Sequence, residues 1–260
     1  MRTILSLLLL FMSTSTTAPD GARIVVDKAI EHAGGWQAWT STRTIQFRKT
    51  TVHFAADGTV RDTRVQFHRY VLNPAPRMRI ESDDHGSKIV AINDGHQAWK
   101  LVDGKLASSQ DEINSARNNT FGSHYVFGMP FKLRDPGAQL ADAGGAQLPD
   151  GPLVRKIRVT YAKGVGDSGG LHTWTYLIDP ASGRMIANHL QYAPGKYDYT
   201  EYYDEKPIGS LTLPTRRIGY EADANGKVGP RQSETTYDQI ETNVDLSEEL
   251  FAPPVSVPHG

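Results

Sequence analysis

The chain has 260 residues, no cysteine, a formal net charge of −1, and 38% hydrophobic and 22% charged residues. These values exclude disulfides, thiol catalysis, cysteine-ligated metals and a lipid attached through an N-terminal cysteine. They also argue against nucleic acid as a partner, because no excess of positive charge is present to neutralise phosphates. With nothing to staple the chain, stability has to come from a buried core.

The first residues have the three parts of an export signal: Arg2, the almost wholly apolar run Ile4–Met12, and the small polar stretch Ser13–Ala18. The run is too short to span a membrane as a mature anchor. Residues 1–18 are therefore set aside, although Pro19 makes a poor cleavage partner and leaves processing up to Ala22 open. Loss of Arg2 takes the charge from −1 to −2. Residues 19–260 contain no Pro/Gly/Ser linker and read as a single domain, periplasmic or secreted, with no transmembrane anchor.

Ile24–His32 places apolar residues at helical spacing and stops at Gly34-Gly35. Trp36 and Trp39 follow, three apart, and are expected to pack this helix against a sheet. Thr44–Phe54 and Val60–Leu72 then flank Asp57-Gly58 as a hairpin. In it Ile45, Phe47, Val65 and Phe67 are expected on the buried face, against Gln46, Arg48, Arg64 and Gln66 on the wet one. Further strands are predicted at Arg77–Ser82, Lys88–Ile92, Gln97–Val102 and Lys105–Ser108, punctuated by Asp94-Gly95 and Asp103-Gly104.

Alternation is lost over Asp111–Met129, which reads as one or two short helices crossing the sheet. Past the Gly144-Gly145 stretch, strands resume at Leu153–Tyr161, Thr173–Asp179, Met185–Tyr192, Tyr197–Tyr203, Leu211–Glu221 and Glu234–Val244. Pro180-Ala181-Ser182-Gly183 and Asn225-Gly226 supply two more turns. The fold class is mainly β: about ten antiparallel strands in one large sheet, which has to curl and finds its natural closure wrapped over the early helix. The concave face is then the candidate pocket, lidded by the short helices.

Several segments resemble an exported bacterial family of unknown function. They are His32-Ala33-Gly34-Gly35, Phe127-Gly128-Met129-Pro130-Phe131 running on to Gly137, Tyr176-Leu177-Ile178-Asp179-Pro180, Leu213-Pro214, and the ending Asn243–Leu246 with Leu250–Pro254. The closing pattern is also similar to the periplasmic lipoprotein carriers of the LolA and LolB kind. The resemblance implies an incomplete barrel around an apolar cavity that binds acyl chains or another hydrophobic ligand, and it brings no site residues with it. The missing lipobox cysteine departs from the membrane-anchored acceptor type and favours a soluble carrier or sensor.

The residues themselves offer candidates with simpler readings beside them. Trp174, Tyr176 and Ile178 share one strand face, and Ile186, Leu190 and Tyr192 one face of the next; such faces are either sealed core or cavity lining. Phe127, Met129, Pro130 and Phe131 form an apolar set that either gates a pocket mouth or serves as a plain crossover. Trp174, Tyr176, Tyr192, Phe127, Met129 and Phe131 are accordingly the candidate ligand-binding residues. The Tyr192–Tyr203 segment, with Asp198, Glu201, Asp204 and Glu205 interleaved, reads as a solvated strand with aromatic pairs or as a cavity rim.

No metal or cofactor is assigned. The nine histidines lack metal-ligand spacing, and there is no nucleophile motif or phosphate loop. A hydrolase-like enzyme would have to draw on unmarked groups such as His68 and His189. An envelope protein docking on a bare sheet edge is the third possibility. The leading reading is a carrier or sensor for a hydrophobic small molecule or lipid moiety.

Overall fold

The computed structural model describes residues 21–149, 151–163 and 166–253. The export segment 1–18 and Pro254 of the closing motif lie outside the described residues. The chain opens with two helices, α1 (Gly21–His32) and α2 (Trp36–Ser41). The first meander follows as β1 (Thr44–Phe54), β2 (Val60–Val71), β3 (Arg77–Asp84), β4 (Ser87–Asn93), β5 (Ala98–Val102) and β6 (Lys105–Leu106). After α3 (Gln110–Phe127) the second meander comprises β7 (Ala138–Gln147), β8 (Leu153–Tyr161), β9 (Thr173–Ile178), β10 (Met185–Ala193), β11 (Lys196–Ile208), β12 (Leu211–Ala222) and β13 (Val228–Thr242).

All strands join one antiparallel sheet in the order β6-β5-β4-β3-β2-β1-β13-β12-β11-β10-β9-β8-β7. The path follows from that order. The chain meanders outward from β1 to the β6 edge, crosses the inner face through α3 to the far edge at β7, then meanders back until β13 pairs with β1. The two edges, β6 and β7, do not pair with each other, so the curved sheet stays open as a half-barrel.

α1 buries Ala22, Val26, Ala29 and Ile30, a stripe at helical spacing that supplies its attachment to the sheet. Gly34, at φ +113, ends that attachment: a Cβ there would sit 2.3 Å from Ser210 O, while Thr212 N donates to Ala33 O at 2.9 Å. Trp39 packs into the core as expected, whereas Trp36 stays 37% exposed beneath the Arg134 guanidinium.

Four expectations change. α3 is one helix of 18 residues rather than one or two short ones, and it lies over β3, β4 and β5. The strands number thirteen among the described residues, and the one without a predicted range is β7, where a bulge between Asp142 and Gly145 absorbs the glycines. On β2 the parity is reversed. Antiparallel pairing sets Phe47 opposite His68 and Lys49 opposite Gln66, so Gln66, His68 and Tyr70 face inward while Val65 and Phe67 are 39% and 44% exposed. On β10 an irregularity between Met185 and Ala187 breaks the pleat. Ile186 therefore joins a small outer cluster with Leu177 and Tyr199, while Leu190 packs against the main core.

Candidate functional site

The helix that crosses the inner face determines what the site is. Ser109 Oγ caps α3 by accepting from Glu112 N, and donates to the Glu112 carboxylate at 2.9 Å. Downstream, α3 lies over β3, β4 and β5 and buries Ala116, Thr120, His124, Tyr125 and Phe127. The first three of these offer little apolar surface. Thr120 returns its hydroxyl to Ala116 O and accepts from Asn93 Nδ2 at 3.1 Å, so this end of the helix is held to the sheet by polar contact.

Three cavities lie along that seam. One of about 370 Å³ is lined by Met78, Asn93, Phe121 and Gly122. A second, about 300 Å³, is lined by Phe47, Lys49, His68, Tyr70, Ser123, Val126 and Tyr237. The third, about 220 Å³, lies between Arg64, Gln66, Asp84, Lys100 and Asn119.

Around the second cavity the sheet presents ionisable groups held away from water. His68 is 1% exposed; its Nδ1 lies 2.5 Å from the Tyr70 hydroxyl and its Nε2 has no partner. Burial, with Lys49 adding to it, holds the imidazole well below its usual range. Burial and then Lys132 bring His124 down to about 3. The Lys49 ammonium falls to about 8, first through burial and then through Arg217 and Arg64. Burial in turn pushes the Tyr70 phenol well above its usual range.

The candidate residues taken from sequence fall elsewhere on the inner face. Phe127 stacks on Phe47 at 4.3 Å and Phe131 on Trp39 at 4.7 Å. Trp174 stacks on Tyr176 at 5.8 Å and tilts against Tyr125 at 5.6 Å. These four and Met129 are brought together in one core cluster, each 5% exposed or less. Tyr192 is not among them and stands 39% exposed towards the end of β10. The Tyr segment is less solvated than expected: Tyr202 enters the main core, and Tyr199 joins the outer cluster. Glu201 accepts from the Tyr203 and Tyr220 hydroxyls beside an outer recess of about 960 Å³. His68 and His189 do not converge. His68 is sealed under α3, whereas His189 stacks on Tyr197 and reaches Asp223 O.

Lys49 and Arg217 escaped the sequence reading, which set Gln66 on the wet face and had His68 only as an unmarked group of a possible enzyme. One signal for them was present. Lys49 continues the inward parity of Ile45 and Phe47, so a charge stands where the pattern calls for an apolar side chain.

Residues 87–200 match the model of a family of unknown function, DUF6503. Among solved structures, a LolA-superfamily protein from Nitrosomonas europaea is similar at TM-score 0.55 and 13% identity, over 89% of this chain and 97% of that one. The fold is the LolA-type half-barrel. A DUF1329-family protein from Desulfovibrio piger is similar at TM-score 0.57 and 11% identity, covering 90% and 98% of the two chains. A domain from Vibrio parahaemolyticus, described as an outer membrane lipoprotein-sorting protein, gives TM-score 0.54 at 11% identity over 88% and 97%. Among proteins of curated function none matches significantly. No helix among the described residues is long and apolar enough to cross a membrane.

Proposed function

We propose that the protein is an exported, periplasmic or secreted carrier or sensor that takes a hydrophobic ligand, such as a lipid or acyl chain, into the concave face of its half-barrel. The observation that carries this reading is the seam under α3: three cavities, of 370, 300 and 220 Å³, separate the helix from the sheet that it crosses. Over Ala116, Thr120 and His124 the helix gives up little apolar burial when it lifts, while Tyr125 and Phe127 anchor its C-terminal end. Lifting would join the cavities and bare the aromatic wall beneath. Phe127, Met129 and Phe131 would then contact the ligand from the lid side, Trp174 and Tyr176 from the sheet side, and Tyr192 from the rim. The lipoprotein-sorting description of the Vibrio domain accords with such a ligand.

Two measurements test this. Native mass spectrometry of the mature protein purified from its own envelope is expected to show a lipid-sized adduct that solvent extraction removes. The absence of cysteine also permits a clean lock: Asn93→Cys with Thr120→Cys, whose wild-type side chains meet at 3.1 Å, tethers α3 to β4. Uptake of a fluorescent fatty-acid analogue is expected to stop on oxidation and return on reduction. A clean apo mass together with no uptake by the untethered protein would overturn the carrier.

A further inference from the structure

Lys49 and Arg217 stand on adjoining parts of the inner face, Lys49 on β1 and Arg217 on β12, with Tyr237 of β13 between them. Arg217 is 5% exposed. Its Nη2 donates to Val126 O of α3 at 2.9 Å, and its guanidinium lies 5.2 Å and 5.0 Å from the ring centres of Tyr202 and Tyr237. Its Nε and Nη1 are buried without a partner among the described residues. Such a cation is normally paired, and two orphaned donors are costly in a low-dielectric site. The tyrosine faces offset part of that cost and leave the in-plane donors unused.

Lys49 lines the 300 Å³ cavity, whose walls carry no carboxylate among the described residues. The charges that act on it are the Arg217 and Arg64 guanidinium groups, both repulsive. Arg64 faces the adjoining cavity, where Asp84 is the one acid and Lys100 a further cation, itself 3.5 Å from Glu112. His68 Nε2 adds another buried polar atom without a partner. Two walls of the cavity, Val126 and Tyr237, are also the contacts of Arg217. A third wall, Phe47, leads directly to Phe127 and the aromatic core. One pocket therefore combines positive charge lacking a counterion with an apolar exit.

We propose that this cavity is the anion subsite of the ligand pocket: Lys49 and Arg217 hold the acidic head group, a carboxylate or phosphate, of an amphiphile whose chain runs along Phe47 and Phe127. The assignment rests on the carrier reading and narrows it from any hydrophobic ligand to an acidic one. A charge-assisted hydrogen bond in a site shielded from water supplies the preference.

The test compares laurate, dodecyl phosphate and dodecanol as competitors for a neutral fluorescent lipid probe, with inorganic phosphate titrated separately. In the wild type, the two acidic compounds are expected to displace the probe at about tenfold lower concentration than dodecanol. In Lys49→Gln that advantage is expected to shrink to about twofold, with dodecanol unaffected. Arg217→Lys retains the charge and is expected to keep most of the preference; circular dichroism verifies the fold of each variant. Equal displacement by laurate and dodecanol in the wild type would overturn the anion subsite and leave the carrier standing, as would a preference unchanged in Lys49→Gln. If inorganic phosphate binds in a Lys49-dependent manner while no dodecyl compound does, the amphiphile is overturned together with the carrier, and a site for free anions remains.

Discussion

The inner face of this sheet is built in two ways. Under α1 and the segment after α3, large apolar side chains interlock: Phe131 on Trp39, Trp174 on Tyr176, with Tyr176 and Phe131 wholly buried. Beneath α3 the same face carries Lys49, Gln66 and His68 beside cavities that interrupt the packing, with Arg217 against Val126 at the end of the helix. One half gains stability from apolar area removed from water. The other half spends it on buried polar atoms, several without partners. Proteins accept such local costs chiefly where a site is built, and the contrast supports placing the proposed head-group subsite in the second half.

The comparison predicts its own strongest break. Phe131→Ala removes a fully buried ring from the apolar half and is expected to cost about 3–5 kcal/mol in urea unfolding. A cost near 1 kcal/mol would place Phe131 in a loose lid and erase the distinction.

Acid should act on the polar half. His68 and His124 are buried with their folded pKa values depressed, His124 to about 3. The unfolded chain takes up their protons near pH 6.5, and the folded one does so only well below that. Stability is therefore complete above pH 6.5 and falls as pH drops, by about 1.4 kcal/mol per unit for each histidine. At pH 5 His124 should cost about 2 kcal/mol, with His68 acting in the same direction, and His124→Leu should flatten the slope. Equal slopes in wild type and variant would refute the assignment.

Lys49 behaves with the opposite consequence. Its folded pKa of about 8 lies below its ordinary value of 10.5, so the fold penalises the charged form, in full below pH 8. The groups facing it are Arg217, Arg64, His68, Tyr70 and Tyr237. As pH rises from about 8 to 10.5 the penalty lifts, and stability should gain on the order of 1–2 kcal/mol after allowance for partial solvent screening. Lys49→Met should show that gain at neutral pH already and no further rise. A less stable Lys49→Met would mean that the ammonium has a partner in the fold.

The smallest effect sharpens the inner-outer division. Phe67→Thr, on the outer face of β2, should change stability by no more than about 0.5 kcal/mol despite the loss of an aromatic ring. A loss of 2 kcal/mol or more would restore Phe67 to the core.

Much of the fold was legible along the chain. Strand β1 falls at Thr44–Phe54 and β8 at Leu153–Tyr161, as their alternation implied, and Asp103-Gly104 adopts positive φ at both residues to turn β5 into β6. β2 was misread because its inward residues are the polar ones, and a rule that sends apolar side chains inside fails where a site requires polarity. Ile186 was misplaced by a bulge that single-strand periodicity does not reveal. For the site, sequence singled out aromatic residues that share a strand face. It could not tell that they interlock with one another and with Trp39, Phe47 and Tyr125 in a packed core, while Lys49 lines a gap with Arg217 close behind its walls.

Local chemistry therefore determined the meander: turn residues that tolerate positive φ, strands with period two, and an early helix with a glycine stop all act over a few residues. Only the tertiary structure decided which face of β2 is inside, that β13 returns to β1, and that α3 spans the opening. Those outcomes depend on contacts between residues far apart in the chain. The approach of Arg217, behind Val126 and Tyr237, to the cavity that Lys49 lines is such an outcome, because 168 positions separate the two and only the closing of β1 on β13, with β12 beside it, brings them near.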